Sequence, residues 1–384
     1  MDFSTTEEQG EIRALAQRIL EDQLDEATMR EVEAGDQRFH RPTWEALASA
    51  NLLGIALPTE VGGSGFGVIE QGLVLEEVGR TVAPVPVLAS IVLGAAPIAT
   101  FGTPEQAKAW AAPAAEGRVM LTGALVEPGN PWPYPPRTTA RRDGDGWRLE
   151  GTKTCIPAGL LADRILVPAA TEDGTIVVFI VDPSAAGVTL TGQKVTNKEV
   201  EGHLVLKGVL VGDDAVLGSA EIGAEIVASM ARHATLGMCA MQLGVVSRAL
   251  EMTAEYAKTR VQFGRPIATF QAVGQRAADA YIDVEAVRLT TLQAAWRVDE
   301  GLPSEAEIEV AKFWAADAGH RVAHTAVHIH GGVGVDTDYP LHRYFVAAKH
   351  LEFGLGGATD QLLRLGARFA AGTALAGRAA SAAD

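Results

Sequence analysis

Apolar residues in the first third of the chain recur at intervals of three and four, the spacing that lines one face of a helix. Ser4, with Glu7 three positions on, predicts a capping box opening the run "EEQGEIRALAQRIL". The device repeats at Thr103-Pro104-Glu105-Gln106, with proline at the first helical position of the next amphipathic run. Between them, "PTWEALASANLLGIALP" and "GFGVIEQGLVLEEVGRTV" predict two more helices joined by the glycine-rich turn "EVGGSGFG". Residues 1–118 therefore read as an N-terminal helical domain.

The period then shortens to two. "RTTARRDGDGWRLEGTKT" places the turn Asp143-Gly144-Asp145-Gly146 between two strand-like runs, and "DRILVPAATEDGTIVVFIVDP" repeats the layout around Asp173-Gly174. "GVTLTGQKV" and "GHLVLKGVLVG" continue it, so residues 119–216 predict a small β-barrel or sandwich. From 217 to 384 the helical period returns in three long runs, followed by shorter ones near 340–353 and 358–371, which predicts a C-terminal four-helix bundle. The fold class expected is α+β and multidomain, and no Gly/Ser- or Pro-rich linker separates the three parts.

Composition narrows the function. A net charge of −16 over 384 residues argues against a nucleic-acid footprint and against an anionic membrane surface, because both need clustered Lys and Arg. Cys155 and Cys239, the two cysteines, have no partner at ligand spacing, so neither a disulfide framework nor a metal site is expected. The acidic start "MDFSTTEEQGEIRAL" shows no secretory signal, and the longest apolar run, "LASIVLGAAPIATF", is too short for a membrane span and carries Pro97. A cytoplasmic protein is the expectation.

Two segments carry candidate chemistry. "KTRVQFGRPIATFQAVGQ" sets Arg260, Gln262, Phe263 and Arg265 in a turn, with Gln271 at the start of the following helix. A guanidinium beside the free N–H groups of a helix start suits a phosphate or pyrophosphate, and an arginine-rich interhelical corner is the alternative. "HIHGGVGVDTDYPLHRY" offers Gly331, Gly332 and Gly334 for close backbone approach to a ligand. His328 and His330 lack a third metal ligand at sensible spacing and read as structural or ligand-packing residues.

With the domain order, the motifs R-x-Q-F-G-R-P-I…F-Q and H-G-G-x-G…D-Y-P-L-H-R make the whole chain resemble the acyl-CoA dehydrogenase family of flavoproteins. The resemblance implies FAD held across a subunit interface. One subunit's β-domain cradles the ring, and the neighbour's bundle holds the pyrophosphate and adenine end. It assigns Arg260, Gln262, Phe263, Gln271, Gly331, Gly332 and Gly334 to the neighbour's FAD, with His328 standing where the family has Gln. It further implies an acyl-CoA substrate and an electron-transfer acceptor.

The pattern fails selectively. Where the family reads T-E-P-x-A-G-S-D, this chain reads "VEPGNPWPYPPR", with Val126 in place of the Thr; where it reads K-x-W-I-T, Cys155 and Pro157 replace the Trp and Thr. Neither replacement stacks on or donates to a flavin ring in the same way. The reaction needs a carboxylate to take the α-proton. Its usual position falls at Leu355-Gly356, and the minority position, on the first long bundle helix, is Ala234. The nearest carboxylates, Glu352 and Asp360, read as solvent-facing or helix-capping.

The resemblance is nearest to the non-base subunit of actinobacterial α2β2 enzymes acting on steroid side-chain CoA thioesters. It implies a homologous partner that carries the Glu. Two alternatives stay open: a self-sufficient homo-oligomer using Glu352 or Asp360, and a non-catalytic scaffold subunit.

Overall fold

The computed structural model describes residues 3–130 and 132–372, and its described part forms two compact units, each assembled from separated stretches of chain. One unit comprises Met1–Glu21, Val68–Ala83 and Thr235–Asp384; the other comprises Asp22–Gly67 and Pro84–Ala234.

The first unit is helical. Its α1 (Glu7–Gln23) opens on a capping box that is not the expected Ser4/Glu7 pair. Thr6 Oγ1 accepts from the Gln9 N–H at 3.2 Å, and the Gln9 side chain accepts from the Thr6 N–H at 3.1 Å. The helix starts at Glu7, so Thr6 rather than Ser4 holds the cap position. In the other unit, α2 (Glu26–Ala34) starts at the cap Asp25 and α3 (Arg41–Ser49) carries Pro42 in its first turn.

Back in the helical unit, α4 (Val68–Arg80) crosses α8 (Gly223–Thr259) at touching backbones. A Cβ on Gly79 would lie 2.1 Å from the Met241 carbonyl oxygen, and one on Gly244 would lie 1.9 Å from that of Glu76. Glycine at both positions is therefore a packing requirement. The bidentate Arg80–Glu251 pair, at 2.8 and 3.0 Å, fixes the crossing from one side.

Along α10 (Glu305–His330), Ile308, Ala311, Ala315, Ala318 and Val322 are buried at alternating three- and four-residue steps. They pack with Val284 and Val287 of α9 (Gln271–Asp299) and with Leu236, Leu243 and Val246 of α8. Small alanines at these steps let the helices approach closely. The last helices, α11 (Leu341–Phe353) and α12 (Ala358–Ala370), close the unit.

In the second unit the apolar run "LASIVLGAAPIATF" forms π-helical turns over Leu88–Ala95 and continues into α5 (Ala96–Phe101). It is a buried core element. No helix among the described residues is long and apolar enough to cross a membrane. The short helices α6 (Pro104–Gln106) and α7 (Ala112–Ala115) follow, and α6 starts on the expected Thr103/Gln106 capping box.

The seven strands after them form one sheet curled into a half-barrel: β1 (Leu121–Gly123), β2 (Thr139–Asp143), β3 (Gly146–Pro157), β4 (Arg164–Ala170), β5 (Ile176–Val181), β6 (Val188–Gln193) and β7 (Glu201–Gly212). Both expected Gly/Asp hairpins form. Asp143 pairs with Gly146 across Gly144-Asp145, and β4 pairs antiparallel with β5. The parallel pairing of β1 with β4 carries no local sequence signal. Inward Val177, Phe179 and Val181 alternate along β5, and Trp147 meets Phe179 edge-on at 5.5 Å.

Beneath this sheet's rim lies a buried ion pair. Lys153 Nζ donates to Glu127 Oε1 at 2.7 Å, both side chains being almost fully enclosed. The Arg137 N–H and the Thr138 N–H and hydroxyl also donate to the Glu127 carboxylate. Burial pushes the Glu127 carboxyl up, but Lys153 and the N–H donors outweigh it and hold it at about 2.

Lys153→Met strands that carboxylate without a counter-charge, and we expect a loss of about 3–5 kcal/mol in a urea titration followed by tryptophan fluorescence. Because the folded-state value lies below the ordinary 4.5, Glu127 stabilises the fold fully above that value and loses its contribution as pH falls through about 2. The stability gap between wild type and Glu127→Gln should hold from pH 7 to about 5 and narrow below it.

Candidate functional site

The helical unit gathers three helix ends. The end of α8 runs into a two-stranded hairpin, with β8 (Val261–Gln262) antiparallel to β9 (Arg265–Pro266). Phe263 and Gly264 form its turn at φ +53° and +76°, the double left-handed geometry of a tight two-residue loop. Phe263 is 93% exposed. The Arg260 N–H donates to the Tyr256 carbonyl at 2.8 Å, and the Ile267 N–H donates to that of Arg260 at 2.9 Å, which anchors the hairpin to its helix.

The Arg260 guanidinium is exposed and has no side-chain hydrogen bond or ion pair among the described residues. Arg265, by contrast, lies over the Phe270 ring at 4.3 Å. Gln262 is exposed, and its amide donates to its neighbour's carbonyl, Val261 O, at 2.8 Å. Gln271 is the exposed first residue of α9, which opens without a side-chain cap, so first-turn N–H groups stay available.

The second segment leaves the end of α10. Gly331 turns the chain at φ +64°, and a Cβ on Gly331 or Gly332 would meet nothing within 4 Å. These two present open backbone. Gly334 does not: it is buried, and a Cβ there would press on Val327 Cα at 3.0 Å and His330 Cβ at 3.1 Å. Its glycine answers to packing against α10, not to a free surface. His328 is exposed beside an open groove of about 1010 Å³ between α9 and α10, which Gln275, Arg276, Asp279 and His324 also line.

His330 points the other way and is buried. Its ring stacks on Tyr256 at 4.3 Å, Nδ1 lies 2.8 Å from the Ala326 carbonyl, and Nε2 lies 3.2 Å from the Tyr339 hydroxyl. Burial pulls its pKa below the usual histidine value. The sequence reading treated the two histidines alike. Their spacing of two on a helix, which puts them on different faces, was the available signal.

The positions to which the resemblance assigns a base are apolar. Leu355 is buried at φ +54°, Gly356 is buried beside it, and Ala234 lies fully buried within α8. Gln361 Nε2 donates to the Leu355 and Gly356 carbonyls, which fixes the turn. Just upstream, the fully buried Lys312 donates to the carbonyls of Leu351 at 2.6 Å and Glu352 at 3.1 Å, capping the end of α11. Burial lowers the Lys312 pKa to about 8. The two neighbouring carboxylates are engaged. Glu352 pairs with Lys349 at 2.9 Å and contacts His320, while Asp360 accepts from the Gly357 N–H at 2.9 Å as a helix cap.

In the β-sheet unit, Val126 and Cys155 lie where chain neighbours already consume the polar backbone. The Thr154 N–H donates to Val126 O at 3.0 Å, and the Cys155 N–H donates to Gln193 Oε1 at 2.7 Å. Burial and the Glu201 carboxylate push the Cys155 thiol up, away from thiolate chemistry. Pro157 has no N–H to offer. Gln193, whose Oε1 accepts from the Cys155 N–H and from the Thr154 hydroxyl at 3.1 Å, carried no motif in the sequence.

Helices, a curled sheet and a long-helix bundle in that order, ending in an exposed arginine corner beside a glycine turn, define the fold class of flavin-linked dehydrogenases. Profiles of the acyl-CoA dehydrogenase N-terminal and C-terminal domains match residues 6–118 and 221–383. Acyl-CoA dehydrogenase FadE27 of Mycobacterium tuberculosis is 47% identical over 378 residues, spanning 96% of this chain and 99% of that protein. A chain of the ChsE4-ChsE5 complex from Mycobacterium tuberculosis superposes with a TM-score of 0.91 at 47% identity, covering 96% of this chain and 99% of that one. A chain of the Tcur3481-Tcur3483 steroid ACAD does so with a TM-score of 0.89 at 40% identity, with the same 96% and 99% coverage. The chain belongs to the acyl-CoA dehydrogenase family, whose members are FAD-dependent oxidoreductases.

Because the Arg260 guanidinium makes no contact that holds its own fold, Arg260→Ala, which keeps the backbone bonds, should leave the unfolding free energy of the purified chain in a urea titration unchanged within about 0.5 kcal/mol. A larger drop would show that the guanidinium is structural.

Proposed function

We propose that this chain is the non-base subunit of a hetero-oligomeric acyl-CoA dehydrogenase that converts an acyl-CoA to its 2,3-enoyl-CoA. One observation carries the reading. Both places to which the resemblance assigns the proton-abstracting carboxylate, Leu355-Gly356 and Ala234, are buried and apolar, whereas the Arg260 guanidinium and the Phe263 ring stay exposed. Loss of function without a partner should erode both sets alike. A chain that serves a neighbour keeps the outward set.

The residues present fit one end of FAD. An unpaired guanidinium at Arg260, uncapped N–H groups at the start of α9 and open backbone at Gly331 and Gly332 suit a pyrophosphate. Gln262, Phe263, Gln271 and His328, all exposed around them, would hold the adenosine end. The fit fails at the ring end of this chain, where Val126, Cys155 and Pro157 offer no stacking face and Gln193 has taken the free donors. FAD, when bound, supplies the acceptor for the β-hydride, and a carboxylate takes the α-proton. In this reading the chain orients the cofactor tail, while a homologous subunit contributes the ring pocket and the Glu. A separate electron-transfer protein would serve as the acceptor in this reading.

For substrate we propose a steroid side-chain CoA thioester. The support is likeness across nearly the whole chain to a component of a steroid ACAD and to a chain of a two-component complex. A site formed between unlike subunits also leaves room for a bulky acyl group.

Purified alone, the chain should be nearly colourless and should not oxidise acyl-CoA. Co-purified with a Glu-bearing homologue, it should carry FAD at the mixed interfaces only, about half the complement of a homotetramer. Stoichiometric flavin and turnover by the lone chain would sink the proposal. In the hetero-oligomer, Arg260→Ala should weaken FAD retention at least tenfold, since a charge-assisted contact to phosphate is lost. Glu352→Gln should change turnover by less than about threefold, whereas removal of a true base costs orders of magnitude.

A further inference from the structure

We infer that His330, clasped between Tyr256 and Tyr339, is a positioning residue that couples the arginine hairpin and the glycine turn into one rigid unit. The inference rests on the reading of those two segments as the cofactor-tail cradle, and it adds residues that do not themselves face the cofactor.

The geometry is specific. Nδ1 of His330 lies 2.8 Å from the Ala326 carbonyl, which can only accept, so the neutral ring carries its proton on Nδ1. Nε2 is then an acceptor and takes the Tyr339 hydroxyl proton at 3.2 Å. The Tyr256 hydroxyl donates to the His330 carbonyl at 3.4 Å, and the Tyr256 and His330 rings stack at 4.3 Å with 22° between planes. Tyr339 closes the cluster at 5.3 Å from His330 and 6.5 Å from Tyr256.

Each member anchors a different piece of chain. The Tyr256 carbonyl receives the Arg260 N–H, so Tyr256 sets where the hairpin leaves α8. His330 is the last residue of α10, immediately before Gly331. Tyr339 ends the turn that returns from the glycines, and its carbonyl lies 2.8 Å from His342 Nδ1 at the start of α11. Nothing else in the cluster needs to be polar. A buried histidine is costly to keep unless both ring nitrogens find partners, and a network satisfied in this way rigidifies the segments it joins. Here the directional contacts run from the hairpin's helix to the glycine turn, the two features that must keep a fixed spacing to grip one dinucleotide.

Hydrogen exchange on the flavin-free chain tests the coupling independently of the cofactor. Tyr339→Phe removes one hydroxyl and keeps the ring. It should speed exchange about tenfold both in 331–340 and at Ile267, whose N–H reports the hairpin. His330→Phe should do so more strongly, and His330→Gln, whose amide can still donate and accept, should recover part of the protection. In the co-purified hetero-oligomer the same variants should lower FAD occupancy while turnover per bound FAD stays constant, a split that general destabilisation does not produce. Faster exchange confined to 331–340, with Ile267 unmoved in both Tyr339→Phe and His330→Phe, would overturn the coupling. Faster exchange in both segments with FAD occupancy intact would uphold the coupling and instead overturn the reading of these segments as the cofactor cradle.

Discussion

Helix ends, not helix middles, govern this molecule. An α-helix stops with unsatisfied N–H groups at one end and carbonyls at the other, and those groups need partners. The helical unit brings the end of α8, the start of α9 and the end of α10 into one neighbourhood. This follows from lengths of 37, 29 and 26 residues packed side by side on an alanine-rich seam. Some termini are closed internally: Lys312 caps α11, and Asp360 caps α12. The start of α9 at Gln271 has no side-chain cap, whereas the end of α10 is closed by the Gly331 N–H, the His330 ring and the Tyr256 hydroxyl. The contrast between closed and open ends is what distinguishes structure from site in this chain.

The same contrast runs through the charged groups. Two buried charges are well partnered: Glu127 accepts from Lys153 and from backbone and hydroxyl donors, and Arg38 is enclosed with Glu199 as its partner. Desolvated ions require such pairing. Arg260 breaks the rule only because it is solvated. Both places to which the resemblance assigns a proton-abstracting carboxylate are apolar and buried in this chain. The turn at Leu355 is nevertheless kept in good order by Gln361 and Arg364.

Much of this was legible beforehand. Period changes placed the helical and strand regions, and the Asp143–Gly146 and Asp173-Gly174 turns formed where expected, because both signals are local. The first capping box slipped by two residues, since Ser4, Thr5 and Thr6 compete for one cap and only the start of α1 at Glu7 decides among them. The parallel β1–β4 pairing was hidden, because long-range register has no local mark. Among candidate site residues, the Arg260 corner is exposed. Gly334 proved to be a packing glycine, and only three-dimensional contacts with Val327 and His330 could show it. Tyr256 and Gln193 were silent because their roles are relational: each matters for what it touches across the fold, 74 residues away in the first case and 38 in the second.

Consider finally the hairpin tip. Val261 and Phe263 project apolar surface into water, and neighbouring aromatic Phe270 shields Phe263 only edge-on, at 6.1 Å. Such a tip is a liability for a newly made polypeptide awaiting its counterpart. Quality control in the cell reads unburied aromatic surface as a sign of incompleteness. Under the reading proposed above, the abundance of this chain would track the synthesis of whatever covers that tip.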